Sequence, residues 1–264
     1  MIDSTTDPNA VFVYYSDSTE DGDLGIDGEI AVYQIPDSSE FLIFKYRIYN
    51  LSGAPFDSLY IGAAYDWDVY NYYNNSGVDE DLNLVWQKSY YEPDRYAGLA
   101  YLSPDDPYGA SVIKNNQYIF PNGGDFLTGE LYQIASIPGY NPYSYNQDLT
   151  TVMSAKRTYL GTDDTVEVIF ALAVSKSGLG DLKNSVLKAK LLSGAAIESG
   201  DVDGDGELNL GDVIYLANYY LKGGSPPVPL VIVGDVNCDD EINLSDVIYL
   251  ANYLLKSGSD PCIH

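Results

Sequence analysis

Asp201–Gly224, DVDGDGELNLGDVIYLANYYLKGG, and Asp235–Gly258, DVNCDDEINLSDVIYLANYLLKSG, are two copies of one segment, 34 residues apart and identical at 17 of 24 positions. Each copy opens with acidic and amide side chains at alternate positions and closes with an apolar stretch of helical length. A hard cation such as calcium gathers six to eight oxygens, and a twelve-residue loop supplies them from positions 1, 3, 5, 7, 9 and 12, position 7 through its carbonyl. The first copy sets Asp201, Asp203, Asp205, Glu207, Asn209 and Asp212 at those positions; the second sets Asp235, Asn237, Asp239, Glu241, Asn243 and Asp246. A solvated acidic turn imitates one such loop by chance, but hardly two with the same spacing. The repeat therefore predicts two bound Ca2+ ions. A 34-residue period also suits helical-pair repeats, but one helical stretch per copy does not fit them.

Position 12 is Asp in both copies, where an ordinary EF-hand has a bidentate Glu, and no helix closely precedes the first loop. A duplicated loop-plus-helix of this kind resembles a type I dockerin, over residues 200–258. Two departures stand out: Asp240 at position 6, where the turn favours Gly, and Cys238 at position 4. The resemblance implies a small α-helical, EF-hand-like domain that binds a cohesin, itself a β-sandwich module. The contact positions it implies are Leu210, Gly211, Ala217, Asn218 and Lys222, matched by Leu244, Ser245, Ala251, Asn252 and Lys256, on two similar faces related by a pseudo-twofold axis. Against this, Val213, Ile214, Leu216 and their counterparts are needed for the small domain's own core.

A chain of 264 residues has room for one large domain and one small one, expected at 1–195 and 196–264. With 39 acidic against 13 basic residues the net charge is −26, which argues against nucleic acid or an anionic membrane as partner. No apolar run reaches the ~18 residues of a membrane span, so no membrane insertion is expected. Met1 is followed by IDSTTDPN, which is not a secretory leader. A calcium-dependent tail suits an extracellular or cell-surface setting, and a precursor with a leader is expected. Cys238 and Cys262 both lie in the tail; Pro261 turns the chain so that Cys262 can return to the second loop, and a disulfide is expected over two free thiols.

The first ~195 residues read as mainly β. Apolar runs at Ala10–Tyr15, Glu29–Ile35, Phe41–Tyr49, Leu59–Tyr65, Tyr96–Leu102 and Val166–Val174 are separated by Gly, Asn, Asp, Ser and Pro clusters, a pattern that predicts a β-sandwich. FLIFKYRIYN and SLYIGAAYDWD, joined by LSGAPFD, are expected to pair as antiparallel neighbours. One helix is expected near Gly180–Leu192, with Leu182, Val186, Leu187, Ala189 and Leu191 on its apolar side.

The chain has 26 Tyr against 7 Phe, clustered at Tyr70, Tyr72 and Tyr73, at Tyr90 and Tyr91, and at Tyr140, Tyr143 and Tyr145. Such residues serve as strand formers, as a sugar-stacking platform or as protein contact surface. Asp66 and Asp68 fall on one face of a strand end, a candidate third calcium site with a ligand from the following loop, which also holds Asn71, Asp79, Glu80 and Asp81. The only histidine is His264, so a His-based triad or His-ligated zinc is excluded. Glycoside hydrolysis needs only two carboxylates and stays open, with Trp67 and Trp86 as candidate sugar-subsite residues. Asn50 and Asn74 head Asn-X-Ser glycan acceptor motifs.

These readings favour a secreted, non-catalytic assembly protein whose tail docks on a β-sandwich, cohesin-like or belonging to the next copy of the chain. Head-to-tail docking would make a ring, filament or surface layer, and the N-terminal segment Met1–Tyr15 offers a strand to a neighbour. The alternative is a dockerin-tagged carbohydrate-active module, with polysaccharide as a second partner.

Overall fold

The computed structural model describes residues 10–17, 24–34, 40–124, 126–142, 146–193, 199–203, 205, 207–227, 231–239 and 241–262. Tyr143, Tyr145, Asp240, His264, the side chain of Leu191 and the first nine residues lie outside the described set. The chain divides into two compact units, residues 1–193 and 194–264.

Among its described residues the first unit has eleven strands: β1 (Ala10–Ser16), β2 (Ile26–Tyr33), β3 (Phe41–Asn50), β4 (Leu59–Asp66), β5 (Asn74–Asp79), β6 (Leu84–Ser89), β7 (Tyr96–Tyr101), β8 (Gly109–Lys114), β9 (Gly139–Asn141), β10 (Leu149–Arg157) and β11 (Thr165–Ser175). A seven-stranded antiparallel sheet runs β1-β2-β3-β11-β7-β6-β5; a four-stranded sheet runs β4-β10-β8-β9, with the β8–β9 pair parallel. Three helices accompany them: α1 (Asn115–Tyr118), α2 (Thr128–Ala135) and α3 (Leu179–Leu192).

The period of two along each strand decides the layers. On β11, Val166, Val168 and Phe170 point to the small sheet and join Ile61, Ala63, Met153, Leu149 and Val112 in the core between the sheets. Ile169, Ala171 and Ala173, on the opposite face, pack with Ile43, Phe41, Leu182, Val186 and Ala189 beneath α3. With both faces covered, β11 reads as a near-continuous apolar run. Gly98 lets α3 come close: a Cβ there would stand 2.7 Å from Leu84 Cδ1 and 3.3 Å from Leu182 Cδ2. Across the small sheet, Ile134 of α2 covers Ile113 and Val152. The result is a β-sandwich with a helix on each outer face.

The expected pairing of FLIFKYRIYN with SLYIGAAYDWD does not form. β3 pairs with β2 and β11, whereas β4 pairs with β10 in the other sheet. The connection LSGAPFD crosses between the sheets, and Asn50 fixes it. This side chain is fully buried. Its amide donates to the carbonyls of Ala54 (2.9 Å), Leu160 (3.1 Å) and Gly161 (2.9 Å), and its oxygen accepts from the Ser52 hydroxyl (2.7 Å) and amide (3.1 Å). A corner pinned this way leads the chain into a second sheet. Asn50 and the equally buried Asn74, which donates to the Trp67 carbonyl, are inaccessible as glycan acceptors in the folded unit.

In the second unit, α4 (Leu210–Lys222) and α5 (Leu244–Lys256) follow the two acidic loops and pack against each other. Val202, Leu216, Val236 and Leu250 are fully buried, two from each copy, so the repeat builds one shared core. Gly223 and Ser257 end the helices in left-handed conformation, at φ 65° and 53°. Among the described residues no helix is long and apolar enough to cross a membrane.

Candidate calcium loops and docking face

Each loop is tied to the helix it precedes by its last two ligand positions. Asn209 is the N-cap of α4: its side chain accepts from the Gly211 amide (2.6 Å), while Asp212 Oδ2 accepts from the Asn209 amide (2.8 Å). Asp212 Oδ1 reaches back to the Val202 amide at 2.8 Å. The second copy repeats this. Asn243 accepts from Ser245 (2.7 Å), and Asp246 accepts from Asn243 (2.8 Å) and Val236 (3.1 Å). Asp212 and Asp246 are fully buried. The capping box thus ties positions 9 and 12, and with them the amide of position 2, to the positive end of a helix, which favours carboxylates there.

Nearer the loop mouth, Asp201, Asp203 and Asp205 bring carboxylate oxygens within 4.8 Å of one another. Burial raises the Asp203 carboxyl above its ordinary value, and the charges of Asp205, Asp212 and Asp201 add to the rise. Asp246 is likewise raised, first by burial, with backbone donors opposing and Asp235 and Asp239 adding to it. In the second loop Asn237 Oδ1 is buried and has no hydrogen-bond partner among the described residues. A buried acceptor at position 3, among carboxylates at positions 1, 5 and 12, is what a calcium ion would complete. The residues present fit the ion. Glu207 and Glu241 at position 7 are exposed side chains whose amides are held by Asp205 Oδ1 (2.8 Å) and Asp239 Oδ1 (3.0 Å), leaving the loop carbonyl as the ligand. Cys238 and Cys262 are joined by a disulfide.

The implied contact positions divide. Leu210, Lys222, Leu244, Ser245 and Lys256 are exposed; Gly211, Ala217, Asn218, Ala251 and Asn252 are half-buried. Lys222 donates to Asn218 one turn back, at 2.8 Å. Leu216 and Leu250 do form the core, whereas Ile214 and Ile248, assigned to it with them, are 62% and 53% exposed. With Leu210 and Leu221, and with Leu244 and Leu255, they make an apolar stripe along each helix at spacings of four and seven. Sequence periodicity missed this stripe because the helices are apolar on nearly every side, so the buried face does not stand out.

In the first unit, the carboxylates of Asp66 and Asp68 meet that of Asp148 within 4.8 Å. The third group comes from just before β10, because Asp66 pairs with Thr150 across β4 and β10. Asn115 orders the group: its amide donates to Asp148, and its oxygen accepts from Thr150 Oγ1 (2.7 Å). Burial raises both Asp66 and Asp148, with neighbouring carboxylates adding to each. Two of the loop residues are engaged elsewhere: Asp79 pairs with Lys183, and Asn71 accepts from the Tyr73 amide. Beside the cluster, Tyr72, Tyr73, Tyr91 and Tyr90 form a chain of ring contacts with centroids 4.4, 6.4 and 5.2 Å apart. Tyr70 carries the Arg95 guanidinium 5.4 Å from its ring centroid. The tryptophans do not contribute an exposed subsite. Trp67 is half-buried and stacked on Tyr65, and half-buried Trp86 covers Gly77 and meets Tyr96 edge-on.

Residues 199–255 match the family model of the dockerin type I domain, so this segment of the C-terminal unit is a type I dockerin, a calcium-binding module for protein–protein docking. No curated protein matches the sequence significantly. Among solved structures, the chain superposes on a heparan sulfate lyase HepC mutant from Pedobacter heparinus at 12% identity and TM-score 0.37, covering 67% of this chain and 22% of that one. It superposes on a bacterial glucoamylase complexed with acarbose at 13% identity and TM-score 0.42, covering 79% and 32%. It superposes on Heparinase III at 11% identity and TM-score 0.37, covering 67% and 21%. The chain spans about a fifth to a third of the length of those proteins, and likeness at this level carries no conclusion about activity.

Proposed function

We propose that this chain is an extracellular, calcium-dependent assembly protein that carries no catalytic step of its own. One ion in each loop, held by Asp201, Asp203, Asp205, Glu207, Asn209 and Asp212 and by Asp235, Asn237, Asp239, Glu241, Asn243 and Asp246, would fix the pose of α4 and α5. The supporting observation is the exposed apolar stripe on each helix, Leu210–Ile214–Leu221 and Leu244–Ile248–Leu255. Exposed isoleucines and leucines in line on a small domain suit a partner that buries them. The partner is a β-sandwich face, on a cohesin-like module or on the first unit of the next copy, which would give a head-to-tail series. The disulfide suits an oxidising compartment.

Gel filtration of the chain alone and mixed with a type I cohesin module, in calcium and in chelator, tests this reading. Calcium-dependent association in either case supports it; none in both overturns it.

A second reading, a dockerin-tagged carbohydrate-binding module, is favoured by the tyrosine array at Tyr72, Tyr73, Tyr90 and Tyr91 beside the carboxylates of Asp66, Asp68 and Asp148. Rings offer stacking faces and carboxylates accept from sugar hydroxyls. Retardation in gels containing soluble polysaccharide, abolished by Tyr72→Ala with Tyr91→Ala, would support it. Calcium stoichiometry separates the sites: two ions are expected, and a third lost in Asp148→Asn would place one at this cluster.

A further inference from the structure

Cys238 stands at position 4 of the second loop, where the first loop has Gly204. Its φ of 56° lies in the left-handed region that glycine enters freely and residues with a side chain do not. Its sulfur is bonded to Cys262, 24 residues on. The end of the chain is thereby fastened over the loop, and backbone hydrogen bonds extend the join. The Cys262 amide donates to the Val236 carbonyl at 3.1 Å, the Ser199 amide to the Cys262 carbonyl at 3.3 Å, and the Gly200 amide to the Val233 carbonyl at 2.9 Å.

The pseudo-twofold relation stops here. Tyr215 donates to the Pro226 carbonyl, as Tyr249 does to that of Asp260, so the segments leaving α4 and α5 begin alike. The segment after α4 has no cysteine, and the first loop has no bridge. The ligand sets are otherwise nearly equal, differing by one carboxylate, Asp203 against Asn237. Charge alone would make the first loop the tighter site.

We propose that the Cys238–Cys262 bridge pre-organises the second calcium loop, so that reduction weakens calcium binding there and leaves the first loop's affinity as it was. This rests on the calcium reading of the loops. A cross-link narrows the metal-free ensemble, so less ordering remains to be done when the ion arrives. Without it, the loop must order itself around a residue whose backbone sits in a disfavoured conformation. The tail is then fully metal-loaded only where disulfides persist.

The test is calorimetric titration of the full chain with calcium, with and without a phosphine reductant, in Asp201→Ala, which retains the second loop, and Asp235→Ala, which retains the first. The expected result is a rise in Kd of about ten-fold or more on reduction of Asp201→Ala, and less than two-fold for Asp235→Ala. Cys238→Ser, made in the Asp201→Ala background, should bind as weakly as the reduced protein and lose its response to reductant. Circular dichroism at saturating calcium checks that each variant is folded. Equal responses in the two Asp variants, no response in either, or joint loss of both sites through unfolding overturns the proposal while leaving the calcium loops in place. No calcium binding by the oxidised wild-type chain overturns both.

Discussion

The carboxylate of Asp212 accepts a hydrogen bond from the amide of Val202, 2.8 Å away and ten residues earlier in the chain. Asp246 and Val236 repeat the contact at 3.1 Å. One short side chain therefore closes the loop and caps the helix. Position 12 thus carries structural work at the junction of loop and helix. In chelator, Asp212→Ala is expected to lower stability by about 1–3 kcal/mol through the lost cap and stranded amides. Thermal melts in chelator check this; an unchanged midpoint would mean that position 12 serves only the metal.

Asp201→Ala combined with Asp235→Ala should abolish the calcium-dependent rise in melting temperature. Binding at a hundred times Kd stabilises by about 2.7 kcal/mol per site, and for a unit of this size each kcal/mol moves the midpoint by roughly 4–8 °C. A rise unchanged in the double variant would remove the two loops as the metal sites.

Ile214→Asp and Ile248→Asp place a charge in the middle of each exposed stripe. Both side chains face solvent, so calcium binding and melting temperature should stay near wild type. Docking should weaken in either single variant and be lost in the double. Gel filtration against a cohesin module and against the chain itself reads the outcome. Full binding by the double variant would move the docking face elsewhere.

Asn50→Ala leaves the carbonyls of Ala54, Leu160 and Gly161 without their donor in a buried corner. A loss of about 1–3 kcal/mol is expected in the first unit, measured by urea denaturation. A loss below 0.5 kcal/mol, taken as roughly the level of an ordinary surface change, would mean that the corner holds without it.

Tyr140 gives the first unit an alkaline limit. Its hydroxyl donates to Asn83 Oδ1 at 2.7 Å, and burial, with Asp106, Glu80 and Asp79 nearby, pushes its pKa up to about 12. The unfolded chain ionises near pH 10. The stability from the neutral phenol is thus present below about pH 10 and lost as pH rises towards the folded value. Melting temperature should fall across that window, less steeply in Tyr140→Phe; identical slopes would contradict the assignment.

The repeat of two acidic loops is legible because a metal-binding loop dictates spacing residue by residue, and Asp201 to Asp246 carry that spacing openly. Strands β3, β7 and β11 were legible because burial on one or both faces makes them apolar. Strand β10 was not. Its Thr150, Thr151 and Ser154 look like turn residues but are buried and satisfied, by Asn115, by Gln87 Nε2 (2.9 Å) and by the Ala135 carbonyl. The change of sheet at Asn50 escaped notice because apolar alternation marks a strand but not its partner. Asp148 joined Asp66 and Asp68 only through long-range pairing, with no local signal.

Light scattering of the purified oxidised chain, in calcium and then in chelator, tests the assembly reading most directly. Head-to-tail docking predicts a mass above that of one chain in calcium, reversed by chelator and absent in the Ile214→Asp, Ile248→Asp double variant. A monomer under both conditions would contradict self-assembly and leave the docking helices to a separate scaffold.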